Sequence, residues 1–467
     1  MTLGQIDMSD KHFTQSVKRI KTGAFERRLS LAKAGFMAGA KFGMASAANL
    51  FTRGDERGRK QKEILSEQAR YLADELGKLK GSVVKIGQMM ALYGEHFLPV
   101  EVTDALHTLE EQTAVLEWPA MRAVLIDELG EQKLNELEIN PNPIGAASIG
   151  QVHKAKRKSD GKFICLKVQY PGVAEAVDSD LDAVEQLMRL MKFTSFTKDF
   201  HEWLEEIRVM MHREVNYDLE LKTTRSFRER LKDDPRFIVP ETYPEYSTNR
   251  IIATAYEPGF NFNSQEVLNL PQERRNQIGI ALLDLCWREV FSWGEMQTDP
   301  KFGNYFIRLG ENGEADKLVL LDFGAVREFT SDTIGPGREL VKGAFFHDQN
   351  RIFAALDQLD FMGSNVPFNL RKQFAELTYV AIEPFAQQGH EWSPPAFAIN
   401  EKAEYCWGKS DLISRALLKA SSSAFSTYFA VPPKEFMFLF RKLMGAFTTL
   451  TMINAEINGY EVLLPYV

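Results

Sequence analysis

The sequence predicts an α+β protein: a helical extension, a small lobe of mixed helix and strand, and a large, mostly helical lobe. Three observations carry that expectation. Residues 60–94 place apolar side chains at helical spacing with a break at Gly81. Two apolar runs, 148–155 and 163–169, flank the turn sequence KSDGK, the pattern of a β-hairpin. Beyond Glu257-Pro258-Gly259 the helical pattern returns and persists, apart from residues 296–310 and the LLDFGAV stretch that follows.

At 467 residues the chain exceeds a single core and should form roughly two to four packed units. With 44% hydrophobic and 26% charged residues it falls in the ordinary globular range, which excludes a mainly disordered chain or a polytopic membrane protein. The net charge of −8 is uneven: residues 1–60 hold 12 Lys/Arg against 5 Asp/Glu, a balance of +7 that leaves −15 for the rest. So acidic a body gives no support to nucleic-acid binding. The basic arm is read two ways, as attracted to anionic lipid or an acidic partner, or as a solvated helical face.

The first 30 residues carry charges throughout without an apolar core, so the start reads as cytosolic and not as a signal peptide. Gly35, Gly39 and Gly43 recur every four residues and fall near one helix face. Because Lys41 interrupts the apolar run, no membrane span is expected in residues 31–51. An interfacial helix at a membrane surface, a homodimer contact, or a helix packed on the protein's own body remain the readings. Residues 60–94 form two successive helices in which Lys85 and Gln88, at i and i+3, share a face. A further helical stretch is expected over roughly 102–139, then the hairpin, helices over 174–231, and strands near 236–239 and 251–256. Arg441 and Lys442 interrupt the apolar C-terminal stretch, so no span is expected there either. Domain boundaries are placed at 1–59, 60–130, 131–258 and 259–467. Cys165, Cys286 and Cys406 are far apart without a CxxC pair, and the eight histidines lack HExxH spacing, so neither disulfides nor zinc are expected.

In MQTDPKFGNYFIRLG, residues 296–310, Asp299 stands five positions before Asn304, and Asp322 of LLDFG follows 18 residues after the asparagine. Before them come a hairpin that opens with small residues and ends in Lys167, an acidic helix, and a lobe boundary. Together these are the parts of a kinase active site in kinase order, so the fold class becomes a two-lobed protein-kinase-like fold with an N-terminal helical extension. In such a site Asn304 and Asp322 supply oxygen ligands to Mg²⁺, which takes hard oxygen donors at about 2.0–2.1 Å. Asp299 sits where a base or hydroxyl-orienting carboxylate belongs. Each piece alone is common: a lone Asp-x4-Asn is usually a turn or cap, and a lone strand lysine usually snorkels. The ordered set is the signal. The turn PIGAASIGQV puts Gly145, Ala146, Ala147 and Ser148 where a protein kinase carries spaced glycines; its backbone N–H groups can cradle phosphate, although the Cβ atoms limit close approach.

Over about residues 60–458 the chain resembles the UbiB/AarF/ADCK group of atypical kinase-like proteins linked to coenzyme Q (ubiquinone) biosynthesis. The residues that carry the resemblance are KIGQ (the KxGQ hallmark, Lys85 to Gln88), GAAS, LKVQYPGV, QTDPKFGN and LLDFGAVRE. It implies ATP and Mg²⁺ as cofactors, with nucleotide phosphates near Gly145, Ala146, Ala147 and Ser148, contact from Lys167, and Glu220 pairing with that lysine. It also implies Mg²⁺ at Asn304 and Asp322, and Asp299 and Lys85 as further catalytic residues. The KxGQ helices are expected to occlude protein substrates, with Lys85 and Gln88 turned toward an ExD element that reads EVN here, Glu214 and Asn216. Two further departures are Gly145 in place of the loop's first alanine and Ala255 in place of a hinge glutamate.

The resulting expectation is a Mg²⁺-dependent ATPase or small-molecule phosphotransferase that supports ubiquinone biosynthesis. The alternative is a non-catalytic, nucleotide-gated pseudokinase scaffold. Expected partners are the nucleotide, a membrane surface or quinone-lipid intermediates, coenzyme Q biosynthetic proteins, and a second copy of the chain. The expected location is the cytoplasm with peripheral membrane association.

Overall fold

The computed structural model describes residues 16–17, 55–79, 81–94, 97–111, 115–191, 198–359, 366–387, 394–420 and 434–467. The glycine-spaced stretch 31–51, with the membrane-surface and dimer readings attached to it, lies outside the described residues, as does nearly all of the basic arm. The chain divides into two compact units, one of 6–225 and 241–256, the other of 1–5, Ser226–Pro240 and Glu257–Val467.

In the first unit, helix α1 (Asp55–Leu79) buries Ala69, Leu72, Ala73 and Leu76, the stripe expected from helical spacing. Gly81 then takes φ 65°, a backbone conformation that costs glycine little, and α2 (Ser82–Tyr93) starts in a new direction. α2 buries Val83, Ile86 and Met90 and packs against α1, against α3 (Val100–His107), and against α5 (Val173–Met191) and α6 (Lys198–Glu214). The stretch expected to be helical to 139 breaks earlier. Helix α4 (Trp118–Leu134) closes on Asn135, and Leu137–Ile139 extends as a strand paired with the hairpin, burying Leu137 while Glu138 stays exposed.

Strands are numbered from β1 (Ser16–Val17) and β2 (Val115–Leu116), a short parallel pair. The main sheet contains β3 (Leu137–Ile139), β5 (Gly150–Arg157), β6 (Phe163–Gln169) and β7 (Ile251–Ala255) in that order, with β4 (Gly145–Ala146) also on β5, all antiparallel. Ile164, Leu166 and Val168 of β6 are fully buried on one face, so the two-residue period puts Lys167 on the other, in register with Val152 and Ile252. Helix α7 (Tyr217–Leu231) follows α6 after a two-residue corner.

In the second unit, α8 (Gln272–Trp287) widens into π-type turns over Arg288–Trp293 and stops at Gly294, φ 65°. Two antiparallel pairs follow: β8 (Glu295–Gln297) with β11 (Val326–Glu328), and β9 (Tyr305–Arg308) with β10 (Lys317–Leu320). The longer helices that follow are α9 (Ser331–Phe345), α10 (Gln349–Gln358), α11 (Phe368–Ile382), α12 (Leu412–Ala420) and α13 (Lys434–Met452). Its core joins Leu282, Leu283 and Trp287 of α8 with Phe447 and Leu450 of α13. Among the described residues no helix is long and apolar enough to cross a membrane. All three cysteines are free thiols; burial pushes that of Cys286 up to about 12.

Candidate active site

Each unit carries one group of the sequence-predicted residues. In the first unit they gather at the corner between α6 and α7. Lys167 Nζ donates to both carboxylate oxygens of Glu220, at 2.8 and 3.0 Å. Glu220 stands in the first turn of α7 and is 5% exposed, so the strand lysine is not snorkelling but held. Lys85 Nζ of α2 meets Glu214, the last residue of α6, at 2.6 Å. Between the two glutamates, the side-chain oxygen of Asn216 accepts from the Leu219 N–H at 3.1 Å and so caps α7. An aspartate could accept the same bond; the amide found here keeps the cap and gives up the charge. Gln169, at the end of β6, ties this corner to the sheet by donating to the Val215 carbonyl at 3.1 Å.

The KIGQ motif separates into three jobs. Lys85 reaches the α6–α7 corner as expected. Gln88 does not join it: buried, it donates to the Leu109 carbonyl at 3.0 Å and anchors the chain beyond α3. Gly87 permits that packing, since a Cβ there would stand 2.5 Å from Cδ1 of Leu109.

The small-residue turn is tight. Gly145 and Ala146 pair with Val152 and Gln151, and the Ala147 N–H closes on the Gly150 carbonyl at 2.8 Å, so that donor is spent within the turn. Ser148 lies in the turn so closed. At Gly145 a Cβ would meet Val152 only at ordinary contact distance, 3.6 Å, so neither space nor a positive φ requires glycine there.

In the second unit, Asp299, Asn304 and Asp322 are brought together by short bonds around one loop. Asn304 Nδ2 donates to the Asp299 carbonyl at 3.0 Å and to its Oδ2 at 3.3 Å. The Leu321 N–H donates to the Asn304 carbonyl at 3.0 Å, continuing the β9–β10 register by one pair, and Asp322 follows directly. Gln297 bridges the loop: its Nε2 donates to the Asp322 carbonyl at 3.1 Å and its Oε1 accepts from the Asp299 N–H. The Gly324 N–H holds Asp322 Oδ1 at 2.9 Å.

These residues fit a magnesium ion of the kind that serves a nucleotide. With its Nδ2 committed to Asp299, Asn304 presents its side-chain oxygen as the remaining donor, and Asp322 adds a carboxylate, both hard oxygen ligands. Among the described residues no group of three or more His, Cys, Asp or Glu side chains is arranged to hold a metal. Two oxygen ligands from Asn304 and Asp322 would suit an ion that keeps several waters and shares substrate phosphates.

Helix α13 supplies what sequence reading missed. Arg441 Nη2 pairs with Asp299 Oδ1 at 3.0 Å. Lys442, 1% exposed, bonds Glu289 at 2.8 Å and the Tyr305 hydroxyl at 3.1 Å, while Glu289 also accepts the Gln297 N–H at 3.3 Å. Burial works against the Lys442 charge, yet Glu289 and Tyr305 hold the ammonium above its ordinary range. Burial also pushes the Glu289 carboxyl up and the Tyr305 hydroxyl to about 12. The shifts of Lys442 and Glu289 pull oppositely on the pair's ionisation; the 2.8 Å contact and the added N–H donor favour the ionised pair. The signal available was an Arg-Lys pair inside an apolar helix, which sequence reading used only against a membrane span.

The profile of the ABC1 atypical kinase-like domain matches residues 108–356. "Atypical kinase COQ8, mitochondrial" of Saccharomyces cerevisiae is 28% identical over 391 residues, 83% of this chain and 74% of that protein. "Atypical kinase COQ8B, mitochondrial" of Danio rerio is 30% identical over 408 residues, 86% of this chain and 61% of that protein. Among solved structures, the complex of Rv3197 with erythromycin from Mycobacterium tuberculosis aligns with a TM-score of 0.58 at 21% identity, covering 88% of this chain and 98% of that one. That likeness concerns the fold alone.

Proposed function

Because the chain belongs to the ABC1 atypical kinase-like family, we propose that it is a Mg²⁺-dependent, ATP-using enzyme, an ATPase or small-molecule phosphotransferase that supports coenzyme Q biosynthesis. The observation that carries this reading is the bonded set Asp299–Asn304–Asp322, held by Gln297. Asn304 and Asp322 would hold Mg²⁺, which when bound neutralises phosphate charge. Lys167, fixed by Glu220, would balance negative charge on the phosphates, and Asp299 would orient the water or hydroxyl that attacks. Phosphoryl transfer asks little covalent chemistry of a protein, so positioned charge of this kind accounts for most of what it can contribute.

A second reading, a nucleotide-gated scaffold without turnover, draws on the fact that both Asp299 carboxylate oxygens already have partners, Arg441 and Asn304. One pair of measurements separates the two. MgATP at about 100 times its Kd should stabilise the folded chain by about 2.7 kcal/mol in a thermal unfolding scan, and the same sample should release phosphate in the steady state. Stabilisation without release supports the scaffold; neither effect removes both readings.

A further inference from the structure

We propose that Arg441 is a positioning residue for Asp299 and that helix α13 sets the geometry of the Asp299-Pro300 loop. The inference rests on the reading of Asp299 given above. The Arg441 guanidinium and the Asn304 amide take one Asp299 oxygen each, so the carboxylate is held in one orientation by a cation and a neutral donor. The Arg441 and Asp299 side chains are only 19% and 20% exposed, which sets this pair apart from a freely solvated surface ion pair.

The helix that carries Arg441 is registered against the loop at two further points. Lys442 is locked to Glu289 and Tyr305 in the core, so α13 cannot slide. Gly445, one turn beyond Arg441 and on the same face, lies against Pro300: a Cβ there would stand 2.4 Å from the proline Cβ. The loop residue next to Asp299 therefore rests on the helix backbone while Asp299 itself is gripped from the same face. Because Lys442 anchors the helix independently, removing the Arg441 guanidinium releases Asp299 Oδ1, with Oδ2 still on Asn304, and leaves α13 in place. Lysine at 441 keeps the charge but not the planar fork.

The test uses full-length Arg441→Ala and Arg441→Lys proteins. In the alanine variant kcat for MgATP falls about 10- to 100-fold, the range expected from small misplacements of a reacting group, while KM changes less than about twofold and the unfolding midpoint stays near wild type. Arg441→Lys recovers part of kcat. Hydrogen exchange, which needs no turnover, becomes faster in Arg441→Ala over residues 297–304 and is unchanged in α13. Wild-type exchange in that loop overturns the proposal, as does a loss of kcat matched by a lower unfolding midpoint. If Arg441→Ala turns over normally while Asp299→Asn does not, this inference fails and the enzyme reading stands; if Asp299→Asn is also normal, the enzyme reading itself fails.

Discussion

Asp299→Asn lowers steady-state phosphate release from MgATP by about 10²- to 10⁴-fold, the usual contribution of a positioned acid or base, and leaves nucleotide affinity within about threefold. The asparagine occupies nearly the same volume and can still accept from Asn304 Nδ2, so that anchor of the loop survives while the ion pair with Arg441 is lost. What disappears is the negative charge facing Arg441, which on the proposed reading also orients the attacking oxygen. Affinity should survive because the residues assigned to metal and phosphate, Asn304, Asp322 and Lys167, are untouched. Parallel loss of turnover and affinity would mean that Asp299 organises the binding site instead of acting on the attacking group.

Glu289→Ala destabilises the second unit by about 3–5 kcal/mol, the cost of leaving a buried charge without its partner. Lys442 and Glu289 side chains are each 2% exposed, so the ammonium left behind has little solvent to turn to. Equilibrium urea unfolding of the two-unit chain, followed through a probe in the second unit, measures the loss. Replacing both partners by apolar residues, Glu289→Leu with Lys442→Met, should recover most of it, because a buried ion pair is often worth no more than packed hydrocarbon of similar volume. Turnover should not recover to the same extent: the Gln297 N–H loses its acceptor, and Gln297 is the side chain that links Asp299 to Asp322. A double variant as unstable as Glu289→Ala would place the cost in packing and not in the uncompensated charge.

The legible parts of this protein are those whose cause is local. Gly81 announces a helix break because its backbone must turn there, and the KSDGK turn announces the β5–β6 hairpin from its own few residues. Asp299, Asn304 and Asp322 were legible as an ordered set, and the Leu321 N–H, bonded to the Asn304 carbonyl, joins the segments that carry the latter two. Glu220 and Glu214 were assigned through family resemblance, and the structure pairs them with Lys167 and Lys85. What stayed hidden depends on partners far along the chain. Arg441 lies 142 positions from Asp299, and nothing in the local pattern of α13 distinguishes a loop-gripping arginine from one that interrupts an apolar run. Gln88 shows the same limit: spacing puts it on the face of Lys85, but the carbonyl it meets belongs to a segment whose approach the motif does not encode. Leu137–Ile139 is a strand because β5 lies beside it, and three residues carry too short a pattern to announce that.

The most direct test is the thermal unfolding of wild-type and Asp322→Ala protein with ATP, in the presence of Mg²⁺ and in EDTA. If Asn304 and Asp322 hold the ion that binds the nucleotide, ATP raises the wild-type midpoint only when Mg²⁺ is present, and Asp322→Ala loses that Mg²⁺-dependent increment while its midpoint without ligand stays close to wild type. An equal ATP-induced shift in EDTA, or an Asp322→Ala protein that responds to MgATP as the wild type does, would contradict the assignment.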